Sequence, residues 1–205
     1  MEPRDSDWRS QVTIPNVLSL IRLALIPVFV LVSIQGYFAV AFFLFVGAAG
    51  TDALDGWIAR RFNQTSRLGA YLDPAADKLM MLATYVVYTL ASTAEWRLPV
   101  WLTFTVFIRD FTIAIFAYLL YTRIRIRRFP PSIAGKVSTI VQVVALAATI
   151  AANMFLAPIA RPLLPWIHRA ALLITLYSGF DYIRKWDLAL ERSADSTDPS
   201  EITWT

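Results

Sequence analysis

Six runs of about 20 predominantly apolar residues constrain what this 205-residue chain can fold into. They lie at about 15–34, 37–59, 68–91, 98–121, 137–157 and 163–185. A helix of that length crosses a hydrocarbon core roughly 30 Å thick, because each residue adds about 1.5 Å of rise. It also satisfies its backbone polar groups internally, which lipid demands. With 57% hydrophobic and 17% charged residues, the chain lacks the balance of a soluble domain. The expected fold class is therefore all-α integral membrane protein, with six transmembrane helices in one domain over 14–186. A juxtamembrane arm covers 1–13, and a polar tail over 187–205 is expected to be disordered.

Basic residues set the orientation. With the N-terminus inside, the inner segments carry fourteen Lys and Arg residues. These are Arg4, Arg9, Arg60, Arg61, Arg67, Lys78, Arg123, Arg125, Arg127, Arg128, Lys136, Arg184, Lys185 and Arg192. The outer segments hold three, Arg97, Arg161 and Arg169. Both termini are expected to be cytoplasmic. The run RIRIRRFPP at 123–131 reads first as a topological signal that attracts anionic headgroups. Residues 1–13, polar and of mixed charge, lack the form of a cleaved signal peptide. The absence of cysteine excludes disulfides and thiolate metal sites, and one histidine, His168, argues against an imidazole-based centre. His168 is expected near the outer interface.

Charge inside the runs carries the functional information, because ionisable groups in a membrane interior are costly and usually functional. Of fifteen acidic residues, six lie in or beside the runs: Asp52, Asp55, Asp73, Asp77, Asp110 and Asp181. Four of them fall between positions 52 and 77. Asp52 and Asp55 are three apart, and Asp73 and Asp77 four apart, so each pair shares a helix face. Counted from outer ends near Tyr37 and Ala91, Asp52 and Asp77 lie about 21–22 Å in, and Asp55 and Asp73 about 27 Å in. Carboxylates gathered near the cytoplasmic edge repel one another unless positive charge sits among them. Oxygen-only ligands without Cys or His favour a hard cation, Mg²⁺ or Mn²⁺, with Ca²⁺ also compatible. The competing reading is ion pairing with Arg60, Arg61, Arg67 or Lys78. Gly56, Ala59 and Gly69 leave space beside the acids, either for an extended ligand or for close helix packing. Arg60, at the aqueous edge, suits a phosphate. Pro74 removes a helical hydrogen bond beside Asp73.

The pattern Asp52-x₂-Asp55-Gly56-x₂-Ala59-Arg60-x₈-Gly69-x₃-Asp73-x₃-Asp77 matches every fixed position of the CDP-alcohol phosphotransferase motif. IPNVLSLIRLALIP at 14–27 is similar to the N-terminal run of phosphatidylglycerophosphate synthases and eukaryotic-type cardiolipin synthases, and GKVSTIVQ at 135–142 resembles a segment both groups carry. The resemblance implies transfer of a phosphatidyl group from CDP-diacylglycerol to an alcohol, with release of CMP. It implies two Mg²⁺ or Mn²⁺ ions on Asp52, Asp55, Asp73 and Asp77, with Asp77 also the base. Gly56, Ala59, Arg60 and Gly69 would line the cytidine-diphosphate site. The acceptor implied is of glycerol type, phosphatidylglycerol or glycerol-3-phosphate, with the Arg109-Asp110 form leaning toward the former. Arg109 and Lys136 are the candidate acceptor residues. Arg109 serves either an anionic pocket or a buried pair with Asp110, and Lys136 either that pocket or topology. Arg22 and Asp181 are within reach of the same network without an assigned role. The family also implies a homodimer in a membrane, here a bacterial inner membrane, with the site facing the cytoplasm; no nucleic-acid partner is expected.

An alternative from another class is a cation- or proton-coupled transporter built on the same acids. Transporter sites usually lie near the midplane at broken helices, whereas these acids gather toward one face beside Arg60. A membrane-embedded scaffold leaves the eight-position match unexplained.

Overall fold

The apolar runs form helices whose ends are set by caps and turns that hydropathy alone does not locate. In a computed structural model of the chain, the described residues are 14–62, 69–119, 122, 132–154 and 157–195. Side chains are described there except at 14–15, 52–62, 69–71, 73, 117, 157, 159–160 and 186–195. The helices are α1 (Ile14–Ile34), α2 (Phe38–Phe62), α3 (Gly69–Leu90), α4 (Val100–Leu119), α5 (Ile133–Ala152) and α6 (Ala157–Asp195). Among the described residues, two of them, over Asn16–Ile34 and Ile133–Ala152, are long and apolar enough to cross a membrane by length and composition. The apolar part of α2 covers Phe38–Thr51 and stops where Asp52 begins. RIRIRRFPP, Arg67 and the arm 1–13 lie outside the described residues.

The chain divides into two compact units. The first comprises residues 1–97 and 146–160. Here α1 packs against both α2 and α3. Its buried face is Asn16, Ser19, Arg22, Phe29 and Ser33, recurring at helical spacing, polar toward the start and then aromatic. The Phe29 ring lies 6.3 Å from Phe45 and 6.5 Å from Tyr88, and Phe38 lies 6.3 Å from Tyr88. These tilted aromatic contacts join the three helices at one end of the unit.

The turn between α1 and α2 needs a left-handed residue. Gly36 has φ +83°, its N–H donates to Ser33 O at 3.2 Å, and the Tyr37 N–H donates to Val32 O at 2.9 Å. This is the Schellman arrangement, which satisfies two carbonyls the helix end would leave open. At the far end of α5, Asn153 fastens the helix to the loop after α3. Its Oδ1 accepts the Trp96 N–H at 2.9 Å, and its Nδ2 donates to Trp96 O at 2.8 Å and Thr149 O at 2.9 Å.

The second unit comprises residues 98–145 and 161–205. One face of α4 buries Leu102, Thr103, Val106 and Arg109, while Phe104, Ile108, Phe111, Ile115 and Tyr118 form an exposed stripe. An apolar stripe of this kind is unusual on a water-facing surface. α5 begins at Ile133, earlier than the expected 137, because Ser132 caps it: its Oγ accepts the Gly135 N–H at 2.9 Å. Deeper in the unit, Gln142 Nε2 donates to Ser138 Oγ and Thr175 Oγ1, each at 3.1 Å, tying α5 to α6.

α6 departs furthest from expectation. It runs through Pro162 and Pro165 and continues to Asp195, past the boundary placed at 186. The segment LALERSAD is rich in good helix formers and has no Gly or Pro, so nothing in it stops the helix.

Replacing Gly36 with Ala should lower stability by about 1–2 kcal/mol, since the left-handed conformation disfavours a Cβ. No neighbour obstructs that Cβ; the nearest atom is 4.0 Å away. Thermal unfolding in detergent checks this, and Gly36→Asn should cost less.

Candidate active site

Asp52, Asp55, Gly56, Ala59 and Arg60 are carried by α2, and Gly69, Asp73 and Asp77 by α3, all within the first unit. Pro74 lies inside α3 beside Asp73, and the helix continues through it. The Phe38–Tyr88 contact sets the two helices level at one end. Measured from that level with a rise of about 1.5 Å per residue, the four Asp positions fall between roughly 16 and 26 Å along the helices. They therefore occupy one slab on two helices of one unit.

Asp77 is half-buried. The side chains of Asp52, Asp55, Gly56, Ala59, Arg60, Gly69 and Asp73 lie outside the described residues. Among the described residues no group of three or more acidic, His or Cys side chains gathers at one point. The donor set nevertheless suits a hard divalent cation. All four candidates are carboxylates at i, i+3 and i, i+4 spacing on continuous helices. His168, the one imidazole in the chain, is buried in α6 with 4% exposure.

The second unit holds the two acceptor candidates. Arg109 is 9% exposed. Its Nη1 donates to Asp110 Oδ1 at 2.8 Å and its Nη2 to Ser178 Oγ at 2.7 Å. The guanidinium carbon lies 5.7 Å from the centre of the Tyr182 ring. Gly135 brings α5 against this group: a Cβ there would meet Tyr182 Cε2 at 3.0 Å and Arg109 Nη2 at 3.3 Å. Arg109 thus joins α4 to α6 and lies against α5. Both sequence readings of this residue keep support, since the pair with Asp110 is present and the buried Nε–H has no hydrogen-bond partner. Lys136, next to Gly135, is exposed. Asp181 pairs with Lys185 at 3.1 Å along α6.

Sequence reasoning missed Ser178 and Tyr182. Neither is an acidic or basic residue type, and their one signal is the i, i+4 spacing that puts them on one face of α6. Gly135 was passed over for the same lack of charge.

The family model for CDP-alcohol phosphatidyltransferases matches residues 12–177. A putative cardiolipin synthase of Mycobacterium tuberculosis is 42% identical over 130 residues, covering 62% of this chain and 59% of that protein. Human cardiolipin synthase (CMP-forming) is 37% identical over 161 residues, covering 70% and 52% respectively. A probable phosphatidylglycerophosphate synthase of Mycobacterium tuberculosis is 30% identical over 179 residues, covering 83% and 79%. The match spans between half and two thirds of the two cardiolipin synthases.

Ser178→Ala should destabilise the protein by about 1.5–3 kcal/mol, because it strips a buried charged donor of its acceptor. Ser178→Thr, which keeps the hydroxyl, should recover most of the loss in a detergent melt.

Proposed function

The chain belongs to the CDP-alcohol phosphatidyltransferase family, and on that premise we propose that it moves the phosphatidyl group of CDP-diacylglycerol to a glycerol-type alcohol and releases CMP. The observation that carries this reading is the eight-position motif, which lies within the matched region and falls on two helices of one unit. A transporter is disfavoured, because ion pathways alone do not require Gly56, Ala59, Arg60 and Gly69 at fixed spacing with the acids.

In this reading all six helices span a bacterial inner membrane, with both termini and the site at the cytoplasmic side, and the protein acts as a homodimer. Asp52, Asp55, Asp73 and Asp77 hold two divalent ions, Mg²⁺ or Mn²⁺. Held by these carboxylates, such ions would supply Lewis-acid stabilisation of the charge that develops as CMP leaves. Gly56, Ala59 and Gly69 leave room for the nucleotide to lie against helix backbone, and Arg60 faces a phosphate. Asp77 accepts the proton of the acceptor hydroxyl as its oxygen attacks phosphorus. Arg109 and Lys136 hold the anionic part of the acceptor. Phosphatidylglycerol is the favoured acceptor, giving cardiolipin, because the relatives named cardiolipin synthase are more identical to this chain than the phosphatidylglycerophosphate synthase. Glycerol-3-phosphate is the second reading.

Purified chain in detergent, given labelled CDP-diacylglycerol with Mg²⁺ or Mn²⁺, should release CMP faster with phosphatidylglycerol than with glycerol-3-phosphate. Mass spectrometry identifies the lipid formed. Asp77→Asn should reduce turnover by at least about 100-fold, in line with loss of a general base. Arg109→Gln should raise KM for the acceptor more than for CDP-diacylglycerol. Absence of CMP with every acceptor tried would sink the assignment.

A further inference from the structure

The first unit buries a cation for which none of the roles above accounts. Arg22 is 3% exposed, on the face of α1 that also buries Asn16, Ser19, Phe29 and Ser33. A guanidinium so far from water requires an anion beside it, since an uncompensated buried charge costs several kcal/mol. α1 contains no acidic residue. It packs on α2 and α3, whose acids are Asp52, Asp55, Asp73 and Asp77. The counter-charge within these helices therefore comes from the four carboxylates assigned to the cations.

Register selects among them. The Phe29 ring of α1 lies 6.5 Å from the Tyr88 ring of α3. The C-terminal ends of α1 and α3 thus lie together, and the helices pack along one another, so they run parallel. Arg22 precedes Phe29 by seven residues and Asp77 precedes Tyr88 by eleven, so Asp77 lies about one helical turn nearer the N-terminal ends, the direction in which a long helical side chain leans. Seven residues are close to two turns of about 3.6 residues and eleven close to three, which returns Arg22 to the face of Phe29 and Asp77 to the face of Tyr88. On α3 that face continues without a break through the buried residues Met80, Met81, Thr84 and Tyr88 up from half-buried Asp77. Neither Arg22 nor Asp77 stands without a partner.

We infer that Arg22 is a positioning residue: its guanidinium faces the Asp77 carboxylate and fixes that group's orientation beside the cation site. A carboxylate that accepts hydrogen bonds from a planar guanidinium loses its rotational freedom. Its remaining lone pairs then point in one direction, toward a cation or a substrate hydroxyl. The positive charge also relieves repulsion among four acids held in one slab. The inference rests on the proposed use of Asp77 at the reacting centre, but the pairing itself can be measured without substrate.

The test is a double-mutant cycle on the full chain in detergent. In EDTA, Arg22→Met and Asp77→Asn should each lower the melting temperature, and the double variant should lose clearly less than the two shifts combined. In a Mn²⁺ titration followed by electron paramagnetic resonance, Arg22→Gln should weaken binding about tenfold, the scale found for groups that orient metal ligands. The same change in an Asp77→Asn background should have no further effect. Arg22→Lys keeps the charge without the planar fork; it should fold, melt near the wild type and lower kcat while leaving KM for CDP-diacylglycerol unchanged. Should Arg22→Gln fail to fold, Arg22→Lys carries the metal titration with a smaller loss expected. Additive melting shifts, unchanged Mn²⁺ affinity, or a raised KM with kcat preserved would overturn the inference. Coupling in the cycle together with no CMP release from the wild type would leave the pairing standing and remove the reaction.

Discussion

Ionised side chains in an apolar interior must be matched, and that requirement governs both units of this protein. The Born cost of stripping water from an ion is offset only when an opposite charge and well-placed hydrogen bonds replace the water. In the second unit Arg109 meets it with Asp110, Ser178 and the Tyr182 face. The first unit concentrates Asp52, Asp55, Asp73 and Asp77 on two helices and buries Arg22 on a third. The charges are too numerous to be incidental to packing. Helices meant only to fill a membrane would omit them and be more stable.

Charge matching of this kind depends on register, and register comes from the apolar contacts. A helix that slips by one residue rotates its side chains by about 100° and moves a charge off its partner. The Phe29–Tyr88–Phe38 cluster resists such slippage in the first unit, as does the Gly36 turn that fixes where α2 begins. In the second unit, Gly135 performs a comparable service by subtraction. A Cβ there would press on Tyr182 and Arg109. The residues that make no chemistry thus decide whether the chemical ones meet.

The pattern of legibility follows from the same physics. Helix content was plain from six apolar runs, and the carriers of the acids were plain from spacing, because both are periodic properties of the chain. The start of α5 was not, since it depends on one hydroxyl of Ser132 meeting one N–H. The end of α6 was placed too early because the polar composition of the tail suggested disorder, whereas helix propensity in 187–195 favours continuation. Arg22 was seen in the sequence but left without a role, because only the Phe29–Tyr88 contact supplies the register from which its pairing with Asp77 is inferred. Ser178 and Tyr182 gave no signal that charge or hydropathy could detect.

The state of Arg109 bears on the choice of acceptor in the proposed reaction. A guanidinium offers five donors and one positive charge. Here Asp110 takes up one donor at 2.8 Å and offsets much of the charge, while Ser178 takes another. What remains is a partly neutralised cation, plus exposed Lys136 one residue beyond Gly135. A phosphate monoester carries about 1.5 to 2 negative charges at neutral pH, and desolvating it requires a comparably strong positive field. A phosphodiester carries one charge and needs less. The weaker field around Arg109 is thus better matched to the diester of phosphatidylglycerol than to the monoester of glycerol-3-phosphate, which favours the same acceptor as the identity to cardiolipin synthases but does so on independent physical grounds.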